Sequence, residues 1–327
     1  MASRGLAAIV AGLTFAALAA CGSSDDGTQT KDVVKVGVLP GAAVAPFYLG
    51  MRKGFFAEQG LEIETQQAEG GAALLPAVTS GQLQFGYSNV ASLMLAQQKG
   101  LPVQVTASVA LQAKPGDKRP TGKTNVALLV AKNGGVRSAE DLAGKTIGVN
   151  TLKNIEEVLV KYAIDQAGGD SSKVKLVEVP TSQMPNSLAQ GKVAAVVAFE
   201  PYVTVALDQG ARILLRPFTA LPDPAANTTV FFTSKKYAAD EADVARRFTE
   251  AMKKSVEYAQ AHENEIRAVI PTYTEMSPEL ANQLALPYWS STLNVESMKQ
   301  IGQAGVTYGL LNREPDLDAL LPPPGQR

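Results

Sequence analysis

Cysteine, histidine and tryptophan each occur once in the 327 residues, at Cys21, His262 and Trp289. A single cysteine excludes an intramolecular disulfide, so packing must stabilise the fold. A single histidine excludes a His-pair metal site. It sits beside Glu263 and Glu265 in a charged stretch and reads as solvated. Neither sign of charge dominates, with 30 Lys+Arg against 31 Asp+Glu. That balance, with no basic patch, argues against nucleic acid as a partner. There is no G-x-S-x-G elbow, no G-x-x-x-x-G-K-[ST] loop and no recognisable acid–base carboxylate pair. The chain is therefore not expected to be an enzyme, and no metal or cofactor is implied. Beyond residue 20 no uninterrupted apolar run is long enough to span a bilayer.

What is present begins at the N-terminus. Arg4 precedes an apolar run over 6–20 that is too short for a membrane span and has the layout of an export signal. The run closes on Leu18-Ala19-Ala20-Cys21, which resembles the bacterial lipobox. On that reading residues 1–20 are a lipoprotein signal peptide and Cys21 is lipidated. Residues 21–31 (CGSSDDGTQTK) form a polar, flexible tether. The protein is then expected outside the cytoplasmic membrane, in the periplasm or at the cell surface, held by acyl chains.

From residue 32 the pattern alternates between strand and helix. Val34, Val36 and Val38 alternate as a strand does, 47–59 reads as a helix stopped by Gly60, and Leu61 and Ile63 alternate again. Further strands are expected at 83–87 and 103–109, with helices at 71–80 and 90–99. A Lys/Pro/Gly-rich loop over 112–124 interrupts the series. The alternation restarts with strands at 126–131, 146–149, 174–179, 193–198 and 211–215 and helices at 155–166, 185–190 and 201–209. The halves echo each other, because Gly81 and Gly100 bracket a strand–turn–helix unit as Gly191 and Gly210 do. Such alternation predicts an α/β fold of two lobes, each with a mostly parallel sheet. The expected division is lobe 1 from 32–125 and 223–327, with C-terminal helices at 243–261, 278–285 and 295–308, and lobe 2 from 126–222.

In open α/β sheets ligands bind beyond the carboxyl ends of the strands, where helix N-termini favour anions. The candidate ligand-binding residues are those of the corresponding turns. In lobe 1 they are Phe47, Tyr48, Gly70, Gly71, Ala72, Ser88 and Asn89. In lobe 2 they are Asn150, Thr151, Lys153, Asn154, Met184, Glu200 and Tyr202. Ser88, Asn89 and Asn150 are equally suited to capping, and Glu200 to a favourable place on a helix dipole. The aromatic residues are equally suited to packing. Lys153 and the helix ends suit an anionic ligand group, whereas Glu200 suits an amine or ring N–H.

The segments FYLG (47–50), KGFF (53–56), GGAA (70–73), SGQLQFG (80–86) and KGLP (99–102) carry a family resemblance. So do DLAGKTIGV (141–149), GKVAA (191–195) and FEPY (199–202). Together they resemble the substrate-binding proteins of bacterial ABC importers, in the nitrate/sulfonate/taurine and thiamine-precursor (NMT1/THI5-like) group. The resemblance implies the two-lobed type II periplasmic-binding-protein fold, a cleft between lobes, and a membrane permease and an ATPase as partners of a monomeric receptor. It implies a small organic solute; the helix ends and Lys153 place a sulfonate-, taurine- or nitrate-like anion ahead of a pyrimidine thiamine precursor. A solute sensor acting through a membrane receptor is the alternative. Eukaryotic thiamine-precursor enzymes of the superfamily use a cysteine-rich segment that this chain lacks, so their activity is not implied.

Overall fold

Two five-stranded sheets organise the chain, and their topologies are the same. The computed structural model describes residues 31–68, 70–118 and 122–323. The signal and the tether up to Thr30, with Cys21, lie outside them, as does Glu69. The strands are β1 (Asp32–Val38), β2 (Leu61–Gln67), β3 (Phe85–Asn89), β4 (Val103–Ser108), β5 (Ala110–Leu111) and β6 (Val126–Ala131). They continue as β7 (Thr146–Val149), β8 (Lys175–Glu178), β9 (Ala195–Phe199), β10 (Ala211–Leu215), β11 (Thr229–Ser234) and β12 (Tyr288–Trp289). One sheet has the order β2-β1-β3-β11-β4, the other β8-β7-β9-β6-β10. In each, four strands are parallel and the fourth in this order, β11 or β6, runs against its neighbours. The expectation of mostly parallel sheets therefore needs one reversed strand in each. Those strands are the first to follow each passage between sheets.

The repeated glycines show the duplication at the backbone level. Gly81, Gly100, Gly191 and Gly210 all have left-handed φ, at 81°, 80°, 67° and 87°. An L side chain is strained there, so glycine is the residue that lets each helix end and the next strand begin.

Local sequence explains most elements. The helix Ile155–Gln166 is capped by Asn154, whose side chain accepts from the backbone N–H of Glu156 and Glu157. Ile155, Val158, Leu159 and Ala163 make its buried stripe. The 20-residue helix Ala242–Ala261 buries Val244, Phe248, Met252, Val256 and Ala259 at helical spacing. Its exposed face carries Arg246–Glu250 and Arg247–Asp243 pairs one turn apart.

Several boundaries differ from expectation. The helix expected over 47–59 starts at Ala45 and breaks at Gly54 (φ 80°) into Ala45–Lys53 and Phe55–Glu58. The helix expected at 278–285 stops at Ala281. A helix at Lys235–Asp240 precedes the long one, and β12 pairs with β5. His262 is half-buried and stacks on Tyr258 at 3.7 Å, rather than standing free in solvent.

One apolar core gathers Phe47, Phe56, Phe85, Phe231 and Phe248 under the first sheet. A second runs continuously from Val90 and Leu93 through Met298 and Ile301 to Val158 and Leu159. The helix Val295–Thr307 thus packs against a helix of each half. Just beyond its end, the Tyr308 hydroxyl donates to Asp165 at 2.9 Å.

Candidate functional site

The ends of β1, β3, β7 and β9 meet the turns that follow them around a cavity of about 80 Å³. One wall is the loop from Leu39 through Gly41 to Val44, with Gly71, Tyr87, Ser88 and Asn89. The other is Asn150, Asn154, Ile155, Glu156, Phe199 and Glu200. Gln112, Asn125, Phe218 and Thr228, from the two crossings between sheets, with Val126 and Thr229 at the starts of β6 and β11, close the remainder.

The walls touch directly. The Ala42 N–H donates to the Glu200 carbonyl at 3.1 Å. A Cβ placed on Gly41 would lie 3.1 Å from the Phe199 ring, and one on Gly70 would lie 2.7 Å from Thr151 Oγ1. A strap beyond the helix Pro278–Ala281 adds a third contact. Arg267 fastens it by donating to the Ala281 and Leu284 carbonyls at 2.9 and 3.1 Å. Its Ala285 N–H then reaches Glu200 Oε1 at 2.9 Å.

Of the residues singled out in the sequence, Gly71, Ser88, Asn89, Asn150, Asn154 and Glu200 line the cavity. Gly70 and Thr151 face each other at its rim. The others lie elsewhere. Phe47 is fully buried in the aromatic core, 5.3–5.4 Å from Phe56 and Phe231. Tyr48 stacks face to face on Tyr273 at 3.9 Å, and the Tyr273 hydroxyl donates to the Gly41 carbonyl, which positions that loop. Ala72 packs on the continuous core and Met184 is buried among the apolar residues of the second sheet. Tyr202 meets Phe199 edge-on behind the wall. Lys153 is exposed, with left-handed φ of 55°, and its N–H is held by Glu157. Phe47, Ala72 and Met184 thus turn into the apolar cores, Tyr48 and Tyr202 pack on other rings, and Lys153 stands at the surface.

Side chains take some of the free N–H groups of the helix N-termini at the cavity, while the short helices Ala42–Val44 and Gly71–Leu74 have no side-chain cap. Asn89 Oδ1 takes the Ser92 N–H at 2.8 Å, and Asn154 Oδ1 takes those of Glu156 and Glu157. Glu200 Oε2 takes the Thr204 N–H at 3.0 Å. Among the described residues no Lys, Arg or His lines the cavity.

Two polar atoms of the lining, a hydroxyl that can donate or accept and an amide oxygen that accepts, are left over. Ser88 Oγ and Gln112 Oε1 are buried without a hydrogen-bond partner. Glu156, which the sequence reading missed, is 4% exposed. Its Oε2 accepts one bond, from the Asn150 N–H at 2.8 Å. Burial with so little compensation pushes its carboxyl up to about 8. Burial raises Glu200 as well, against the bonds from Ala285 and Thr204 that pull it down. Glu156 carried no sequence signal of its own, because an acidic residue in a first helical turn is favoured by the dipole whether or not it meets a ligand.

Comparison with known proteins shows the family and the fold. The family described as NMT1/THI5 like matches residues 42–266. A formylaminopyrimidine-binding protein of Halalkalibacterium halodurans is 27% identical over 175 residues, covering 54% of this chain. The match spans about half, 49%, of that relative's length. The riboflavin-binding protein RibY of Chloroflexus aurantiacus is 23% identical over 268 residues, which cover 79% of this chain and 72% of RibY. Among solved structures, the alkanesulfonate-binding protein SsuA of Xanthomonas axonopodis pv. citri, bound to MOPS, superposes with a TM-score of 0.71. It is 15% identical and the match covers 88% of this chain and 97% of SsuA, a likeness of fold. The fold is thus that of the two-lobed periplasmic binding proteins.

Proposed function

The chain belongs to the NMT1/THI5-like family, and from that premise we propose that it is the solute receptor of an ABC importer, closing its lobes around a single-ring nitrogen heterocycle rich in N–H donors. The observation that carries this reading is the lining of the cavity: buried acceptors without partners, two buried carboxyls and no cation among the described residues. A buried sulfonate or nitrate needs donors or a counter-charge; no cation lines the cavity among the described residues, and the N–H groups of Ser92, Glu156 and Thr204 are taken by caps. We therefore place the heterocycle ahead of the anion, reversing the order expected from the helix ends and Lys153. Size supports a single ring. About 80 Å³ holds roughly five to eight waters at ~10–15 Å³ each. The names of the two curated relatives, both binders of nitrogen heterocycles, agree with the class.

The receptor mechanism follows from contacts divided between lobes. A ligand touching both walls gains interactions that exist only when the lobes meet, and it shifts the equilibrium by that difference alone. Moving the balance from 1:99 to 99:1 takes about 5.5 kcal/mol, within reach of a few buried hydrogen bonds to charged or polar groups. The closed form is the one handed to the permease, and Cys21 carries the lipid that keeps the receptor at the membrane. Deleting the gene and measuring uptake tests this. Loss of high-affinity uptake of a labelled 4-aminopyrimidine, with taurine uptake intact, is expected. The reverse pattern sinks the ligand class, and unchanged uptake of both sinks the import role.

A further inference from the structure

The cavity contains two buried carboxyls whose bonding differs. Glu200 is heavily committed to the protein. Its Oε1 accepts from Thr204 Oγ1 at 2.8 Å and from the Ala285 N–H at 2.9 Å, and its Oε2 from the Thr204 N–H at 3.0 Å. These bonds cap one helix and fasten the strap, so Glu200 has little capacity left. Glu156 accepts a single bond, at Oε2. Its Oε1 has no hydrogen-bond partner among the described residues, on a side chain that lines the cavity. Two fully buried lining atoms without partners, Ser88 Oγ and Gln112 Oε1, belong to the first half and to the crossing that leaves it. Glu156 stands on the second half. A ring between them would meet acceptors from both sides of the closure.

We propose that Glu156, and not Glu200, is the carboxyl that reads the ligand, and that it selects heterocycles carrying an exocyclic amine. This rests on the heterocycle reading above. Ionised, this carboxyl offers its free oxygen to an amine N–H and gives to solvent the proton it holds in the ligand-free chain; leaving that oxygen without a donor penalises a ring lacking the amine. Glu200 acts instead as a positioning residue that holds the strap against the second half.

The test compares two probes, 4-amino-2-methylpyrimidine and 2-methylpyrimidine, by titration calorimetry on the soluble chain beginning after Cys21. Wild type is expected to prefer the amino probe at least thirtyfold. Glu156→Gln is expected to lose at least tenfold on the amino probe and to stay within about threefold on the other, because the side-chain amide keeps an acceptor for Asn150. Glu156→Asp, which retains the carboxyl, is expected to lie between them and guards against a folding defect in the first variant. An equal loss on both probes would make Glu156 merely structural, and no loss on either would assign the reading elsewhere; each overturns the proposal while leaving the heterocycle reading intact. Failure of wild type to bind either probe overturns both.

Discussion

Glu156 should cost this protein stability, and the cost should depend on pH in a calculable way. Its carboxyl ionises near 8 in the folded chain against an ordinary value of 4.5. Between those values the folded state binds more protons than the unfolded state, so stability falls as pH rises through this window and levels off above it. At roughly 1.4 kcal/mol per pH unit the full loss is about 5 kcal/mol by pH 8. Glu156→Gln removes the ionisation while its amide oxygen still accepts from the Asn150 N–H. Chemical or thermal unfolding of ligand-free wild type and variant at pH 4.5, 6, 7 and 8 measures the difference directly. The curves should nearly coincide at pH 4.5 and diverge upward, with the variant melting about 10 °C higher at pH 8, at roughly 2–4 °C per kcal/mol. Glu200, raised in the same direction, leaves some slope in both proteins and cancels in the comparison. Parallel curves across the range would mean that the carboxyl is not desolvated in the folded protein, and the reasoning about the cavity would fail. The expected pairing of higher stability with weaker ligand binding marks a residue kept for function at the expense of stability.

Three further outcomes follow from the walls of the cavity. A Cβ on Gly71 would lie 2.6 Å from the Ser88 backbone, so Gly71→Ala should destabilise the first half by about 1–3 kcal/mol and weaken binding, read by melting and titration. Gly70→Ala meets only Thr151 across the rim; it should leave ligand-free melting unchanged and lower affinity, and a changed melting point would place that contact within one half rather than between halves. Ser88→Ala removes a buried hydroxyl with no partner, so ligand-free stability should hold or rise by about 1 kcal/mol while affinity for the amino probe falls severalfold; a loss of ligand-free stability would show that the hydroxyl serves the fold.

The duplicated architecture was legible in the sequence because it rests on local rules. The glycines at 81, 100, 191 and 210 stop helices by backbone conformation, and Asn154 caps a helix by its own side chain. The reversal of β6 and β11 was not legible, since strand direction depends on which sheet receives the chain after a crossing. Nor was the strap, whose partner Glu200 lies 85 residues away. The site was half legible for the same reason. Ser88, Asn89 and Asn150 stood out as small polar residues at strand ends. Phe47 and Met184 were drawn into the core by burial that the turn pattern does not encode. Glu156 looks in sequence like any acid near a helix start; only the packing of both halves removes its solvent.

The central claim is that a cavity with two buried carboxyls, and no cation among the described residues, selects an N–H-bearing ring over an anion. Its most direct test is calorimetric titration of the soluble chain with 4-amino-2-methylpyrimidine and with taurine at pH 7. The account predicts that the pyrimidine binds at least a hundredfold more tightly, a difference of about 2.7 kcal/mol. Tighter binding of taurine would contradict it.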